Sequence, residues 1–175
     1  MQAFEFSLKF SFANRDIDPE EYVQRLGEEG CDDAIIGIGQ KGRIALEFIR
    51  SADSALDAVM LAIKQIKMVI PDAKLIEAAP DLVGLSDIAK IVGSTRQNMR
   101  KLMINHNHSF PDPMHVGNPS IWHLSHILKW IEQEQNKNIE CGIKEIAWVN
   151  MQINIAKENV QLDHSYQNQL LSVGL

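Results

Sequence analysis

The eighteen residues from Leu85 to Leu102 restrict the fold more than any other stretch of the chain. Leu85, Ile88, Ala89 and Val92 recur at helical spacing, and so do Met99, Leu102 and Met103. Gly93 separates the two sets, at a point where a sharp turn needs positive φ or close backbone approach. Ala89, four residues earlier, is small enough for a second helix to cross closely above it. Thr95 can cap that second helix, with Ser94 and Gln97 offering a competing capping box. The expectation is two short helices joined by a tight turn, a helix-turn-helix.

The second helix, over 95–104, would expose Thr95, Arg96, Gln97, Asn98, Arg100 and Lys101. Arg, Gln and Asn can pair with base edges through two hydrogen bonds, while Lys and Arg neutralise phosphates. Any exposed helix carries some such residues. What singles this one out is the turn beneath it, because a helix-turn-helix places its second helix in the major groove. Phe110 to Trp122 then reads as a proline-stiffened entry, a short strand, a Gly-Asn-Pro turn and a second short strand. That is a β-hairpin wing over 111–122, bringing His115, Asn118 and Ser120 to the same side. Residues 123–131 return as a helix with Leu124, Ile127, Leu128 and Ile131 available to pack.

Residues 82–131 resemble the winged helix-turn-helix of the MerR superfamily, in its AlpA/excisionase-like branch. The resemblance rests on Gly93, Thr95-Arg96-Gln97, Met99, Phe110-Pro111-Asp112-Pro113, Gly117, Ile121-Trp122 and Trp130. It implies double-stranded DNA binding, with the second helix in the major groove and the wing on the flanking backbone. Members of the branch usually carry Gly with Arg or Lys at the wing tip, where this chain has His115, Asn118 and Ser120.

The net charge of −6 argues against a nucleic-acid partner until its distribution is considered. Residues 1–80 carry −5, residues 81–131 carry +2 and residues 132–175 carry −3. The positive segment is the one with the reading helix. An acidic remainder suppresses indiscriminate DNA binding and favours a specific site. The apolar share of 45% fits a folded chain. No targeting segment or membrane-spanning run is recognisable, so a cytoplasmic protein is expected. Cys31 and Cys141 fit no metal or redox motif.

The N-terminal part, 1–79, is expected to be a βαββαβ ferredoxin-like sandwich within an overall α+β fold. Phe4, Phe6, Leu8, Phe10 and Phe12 alternate with Glu5, Ser7, Lys9 and Ser11, one face apolar and one wet. Asp18-Pro19-Glu20-Glu21 starts a helix that buries Tyr22, Val23 and Leu26. Strands follow at Ala34–Ile38 and around Ile44, Leu46 and Phe48. Ser54 opens a long helix with Leu56, Val59, Ala62, Ile63 and Ile66 inward, and Ala73–Ala78 supplies the fourth strand. Ala79-Pro80-Asp81 reads as a linker. The first strand's aromatics share the face the helices cover, which disfavours RNA reading by an open sheet. A small-molecule effector or a protein partner remains an alternative for this half, because topology alone does not decide function.

The middle histidines, His106, His108, His115, His123 and His126, lack the Cys or carboxylate company that zinc sites usually bring. No cofactor or metal is therefore expected, and no nucleophile-base pairing suggests an enzyme. A C-terminal helix is expected within 140–163. Ile146, Val149, Ile153, Ala156 and Val160 form an a/d-like seam, while Trp148, Met151, Ile155 and Leu162 make a second stripe. The seam residues Ile146, Val149, Ile153 and Val160 are expected to join a homodimer. The last dozen residues show no clear pattern. The function expected is a dimeric transcriptional regulator of bacterial or phage type. The alternatives are an excisionase-like DNA-bending protein and an antitoxin-like autorepressor whose N-terminal domain binds a partner protein.

Overall fold

The computed structural model describes residues 1–174 as a mixed α+β protein. Its centre is β1 (Gln2–Ser11), whose Phe4, Phe6, Leu8 and Phe10 are buried while Glu5 and Lys9 stay exposed. β1 pairs antiparallel along its length with β3 (Arg43–Ala52), and over Ser7–Ser11 with β4 (Lys74–Ala79). β2 (Ala34–Gly37) adds to β3, giving a four-stranded sheet in the order β2-β3-β1-β4. α1 (Glu20–Leu26) and α2 (Ala55–Val69) contribute Leu26, Ala58, Val59, Ala62 and Ile66 to the same core as the β1 phenylalanines. Burying each large apolar side chain there contributes roughly 1.5–3 kcal/mol.

Local chemistry fixes the ends of these elements. The Ser54 hydroxyl accepts from the Asp57 amide at 3.1 Å and caps α2. Asp18 accepts from the Glu20 amide at 3.0 Å where α1 begins. Two side chains depart from the sequence pattern. Leu56, expected inward, is exposed, because alanines at 55, 58 and 62 let α2 lie close and set its buried face one residue away. Ser11, expected outward, is buried where the β1–β4 register shifts between Lys9 and Phe10.

Arg50 takes the next core-facing position after Ile44, Leu46 and Phe48. Its guanidinium donates to both Asp33 oxygens at 2.7 Å, to Gln65 Oε1 at 2.8 Å and to the Gly30 carbonyl at 2.9 Å. It also lies 4.7 Å above the centre of the Phe48 ring. Burial works against the guanidinium charge, but Asp33 more than offsets it and the pKa is raised. Gly30 adopts φ 99° in the wide turn Gly27–Cys31, and a Cβ there would sit 2.3 Å from the Gln65 amide nitrogen.

A second core is built from β5 (Leu82–Val83), α3 (Leu85–Ile91), α4 (Arg96–Asn105), β6 (Trp122–His123) and α5 (Leu124–Glu134). The expected linker at 79–81 is instead a buried anchor. Asp81 is 0% exposed; its carbonyl accepts from the Leu124 amide at 2.7 Å and its carboxylate from His123 Nδ1 at 2.7 Å. The peptide bond before Pro80 is cis.

α6 (Cys141–Asn159) lies between the two cores, and this revises the expected dimer seam. Ile146 and Val149 belong to the sheet core, Ala147 belongs to the second, and Ile143 packs against both. Ile153 is partly buried against the sheet core as well. Three of the four seam residues therefore face inward, because β4 is a sheet edge that needs cover. Asn154 supplies part of that cover, accepting from the Ala78 amide at 2.9 Å and donating to the Ala78 carbonyl at 2.7 Å. Val160 falls just past the helix and is 85% exposed. The end of the chain is not patternless either. Asp163 caps α7 (His164–Ser172), accepting from the Ser165 amide at 2.8 Å. Among the described residues, no helix is long and apolar enough to cross a membrane.

Candidate nucleic-acid interface

α3 and α4 meet as their sequence pattern requires. Ile88, Ala89, Val92 and Met99 are buried together, with Leu102 and Met103 packed beside them. Gly93 has φ +62°. Its amide donates to the Lys90 carbonyl at 3.3 Å and the Ser94 amide donates to Ala89 at 2.7 Å, the two bonds of a Schellman stop. Lys137, from the segment after α5, donates to the Val92 carbonyl beside it. The Thr95 hydroxyl accepts from the Asn98 amide at 3.1 Å, so Thr95 rather than Ser94 caps α4. At the start of α3, Asp87 accepts from the Gly84 amide at 3.1 Å and is committed to holding that turn.

These bonds fix the direction in which the α4 side chains project. Thr95, Arg96, Gln97, Asn98, Arg100 and Lys101 are all exposed. Arg96 and Arg100, one turn apart, line a hollow of about 450 Å³ together with Ser86, Asp87, Trp122 and the segment Gly117–Ser120. Gln97 and Lys101, also one turn apart, are exposed and stand outside that hollow. Ile104 follows them at helical spacing and is 57% exposed, a residue the sequence reading passed over. An apolar side chain at the end of a polar stripe suits a thymine methyl, and the signal was its three-residue spacing from Lys101. Asn98 is less free than expected, since its amide donates to the Ser94 hydroxyl at 3.0 Å.

The 111–122 segment is not the two-stranded hairpin expected. His115 and Ile121 exchange two backbone bonds of 3.2 and 3.1 Å, and this isolated bridge is all the pairing between the two arms. Pro111, Pro113 and Pro119 remove the donors a longer ladder would need. The expected second strand pairs elsewhere: Trp122 with Val83 and His123 with Leu82. The segment still projects, with His115 and Asn118 exposed and the half-buried Ser120 donating to the Gly117 carbonyl at 3.0 Å. Its base is clamped by aromatic rings. Trp122 Nε1 donates to the Pro111 carbonyl at 3.0 Å, and Phe110 meets Trp122 and Trp130 edge-on at 6.1 and 4.8 Å.

No known protein family, curated protein or solved structure matches the chain. The functional reading therefore rests on the geometry of this surface. Behind it, the histidines divide. His115 is on the projecting segment and His106 packs edge-on against Trp130 at 5.5 Å, while His123 is buried against Asp81. Among the described residues no group of three His, Cys, Asp or Glu side chains is placed to hold a metal ion.

Proposed function

We propose that this chain is a sequence-reading, double-stranded DNA-binding protein that regulates transcription. The observation that carries the reading is α4: a helix set by the turn at Gly93 and capped at its start by Thr95, with Arg96, Gln97, Arg100 and Lys101 exposed and a projecting segment sharing a hollow with Arg96 and Arg100. In this reading α3–α5 form a winged helix-turn-helix of MerR-like type, and the βαββαβ order with its sheet order β2-β3-β1-β4 is the ferredoxin-like arrangement. Arg96, Gln97 and Ile104 meet base edges, while Arg100, Lys101 and His115 lie towards phosphates.

The test begins with a duplex selected from a random pool. Arg96→Ala or Gln97→Ala is expected to weaken specific binding by ~1–3 kcal/mol per lost paired contact while leaving non-specific binding almost unchanged. Lys101→Ala is expected to weaken all sequences alike and to flatten the salt dependence by about one unit of slope. If both Arg96→Ala and Gln97→Ala bind the selected site as well as the parent at matched salt, α4 is not the reading element.

A surface with so few cations makes few phosphate contacts, so two copies on an inverted repeat complete the reading. With the α6 seam turned inward, we assign the two-fold contact to α7. Tyr166 and Leu170 there, with Val173 just past its end, recur at helical spacing and are exposed at 57%, 37% and 73%. A helix of this length is marginal in water without a surface to pack on. Leu170→Glu should convert a dimer to a monomer by light scattering and make the melting temperature independent of protein concentration; an unchanged dimer would place the contact elsewhere.

A further inference from the structure

Four exposed apolar side chains, Ile76, Leu82, Met114 and Ile155, line one cleft of about 600 Å³ where the sheet half meets the helical half. Ile76 comes from β4, Leu82 from β5, Met114 from the base of the projecting segment and Ile155 from α6. The volume lies within the range of small-molecule sites, and the walls are mainly apolar as those sites are. Three polar side chains that are nine-tenths or more buried also line it: Asp81, His123 and Asn154.

Two of those three are fully committed. Asp81 accepts from His123 Nδ1 at 2.7 Å and from the Asn154 amide at 2.8 Å, and Asn154 also holds the Ala78 backbone. His123 is not. With Nδ1–H given to the carboxylate, its Nε2 has no hydrogen-bond partner among the described residues, although the side chain is only 5% exposed. A ring nitrogen without a partner, on a side chain that lines an apolar cleft, calls for one complementary polar atom. Nε2 presents a lone pair when the ring is neutral and an N–H when it is protonated. A hydroxyl matches both, as a donor to the first and an acceptor from the second.

The rim charges are already paired: Glu77 with Lys9 at 2.7 Å, and Glu158 with Lys157. No uncompensated charge is left on the rim to recruit an ion. We propose that the cleft is a binding site for a neutral, mostly apolar small molecule carrying one hydroxyl, of the alkylphenol class, with the hydroxyl on His123 Nε2 and the hydrocarbon against Ile76, Leu82, Met114 and Ile155. This goes beyond DNA reading and does not depend on it.

The probes are 4-propylphenol and propylbenzene, titrated into the full chain and followed through the methyl resonances of Met114, Leu82, Ile76 and Ile155. Saturable shifts at these methyls are expected, with the phenol binding roughly tenfold tighter than its hydroxyl-free counterpart, the ratio that one net hydrogen bond confers. His123→Phe would strand Asp81 and threaten the fold, so the blocking variant is Ile155→Arg, at a half-exposed position. It should abolish the shifts while leaving the melting temperature and DNA affinity in place. Shifts that do not saturate, equal affinity for the two probes, or unchanged binding by Ile155→Arg would each overturn the site, whatever the outcome of the DNA measurements.

Discussion

At the scale of single residues, backbone conformation and burial set the sharpest expectations. Gly93 sits at φ +62°, and a Cβ added there meets nothing within 4 Å. The cost of Gly93→Ala is therefore conformational alone, about 1–2 kcal/mol, and should appear as a lowered denaturation midpoint with the α4 surface otherwise intact. His126 gives a pH-dependent counterpart. Burial, and then the neighbouring His123, hold its imidazole below the usual value of 6.5. A depressed histidine pKa means the unfolded chain binds more protons below that value, so stability is present above 6.5 and falls as pH drops through the folded pKa. His126→Gln should flatten the decline in melting temperature over that acidic interval; an unchanged decline would assign it to other groups. Gly93, Thr95 and the β1 phenylalanines were legible in the sequence because each acts within its own turn or its own strand period. Arg50–Asp33, Asp81–His123 and Asp81–Asn154 were not, because their partners lie 17, 42 and 73 residues apart.

At the scale of elements, α6 shows why an apolar stripe does not name its own partner. The spacing of Ile146, Val149 and Ile153 correctly marks a packing face, yet nothing local says whether a second copy or the chain's own β4 edge receives it. The decisive signal was Asn154, a polar residue beside the stripe whose side chain takes the place of a neighbouring strand at Ala78. Asn154→Ala leaves the Ala78 amide and carbonyl and one Asp81 oxygen without that partner. Each buried group so stranded costs about 1–3 kcal/mol, and urea denaturation should show the loss. Ile153→Glu, on the same helix, should lower the melting temperature at every protein concentration alike, since it injures the fold rather than an association. The projecting segment carries the same lesson in another form. Its Gly and Pro residues announced a turn, but the prolines that announced it also removed the amides a hairpin needs.

Across the whole molecule, charge and packing divide the chain differently. Charge separates a positive middle from an acidic remainder, with net values of −5, +2 and −3 along the chain. Packing instead joins the middle to its flanks, because Ile143 touches both cores and Asp81, buried between the halves, is bonded to β6 and α6 alike. Unfolding should accordingly be one transition, with sheet and helix probes coinciding; two resolved midpoints would show that α6 does not couple the cores. The sequence located the boundary near residues 79–81 but took it for slack chain, since a short Ala-Pro-Asp run reads the same way whether solvated or buried. The placement of α6 also has a consequence for birth on the ribosome. Residues 1–131 are made before the helix that walls both cores. At a synthesis rate of about 5–20 residues per second, the nascent chain carries two unfinished cores for roughly one to six seconds before Asn159 is added. During that interval the β4 edge and the face of α5 that α6 covers are open to any passing strand or apolar surface, so slowing translation through residues 132–159 is expected to lower the yield of native protein.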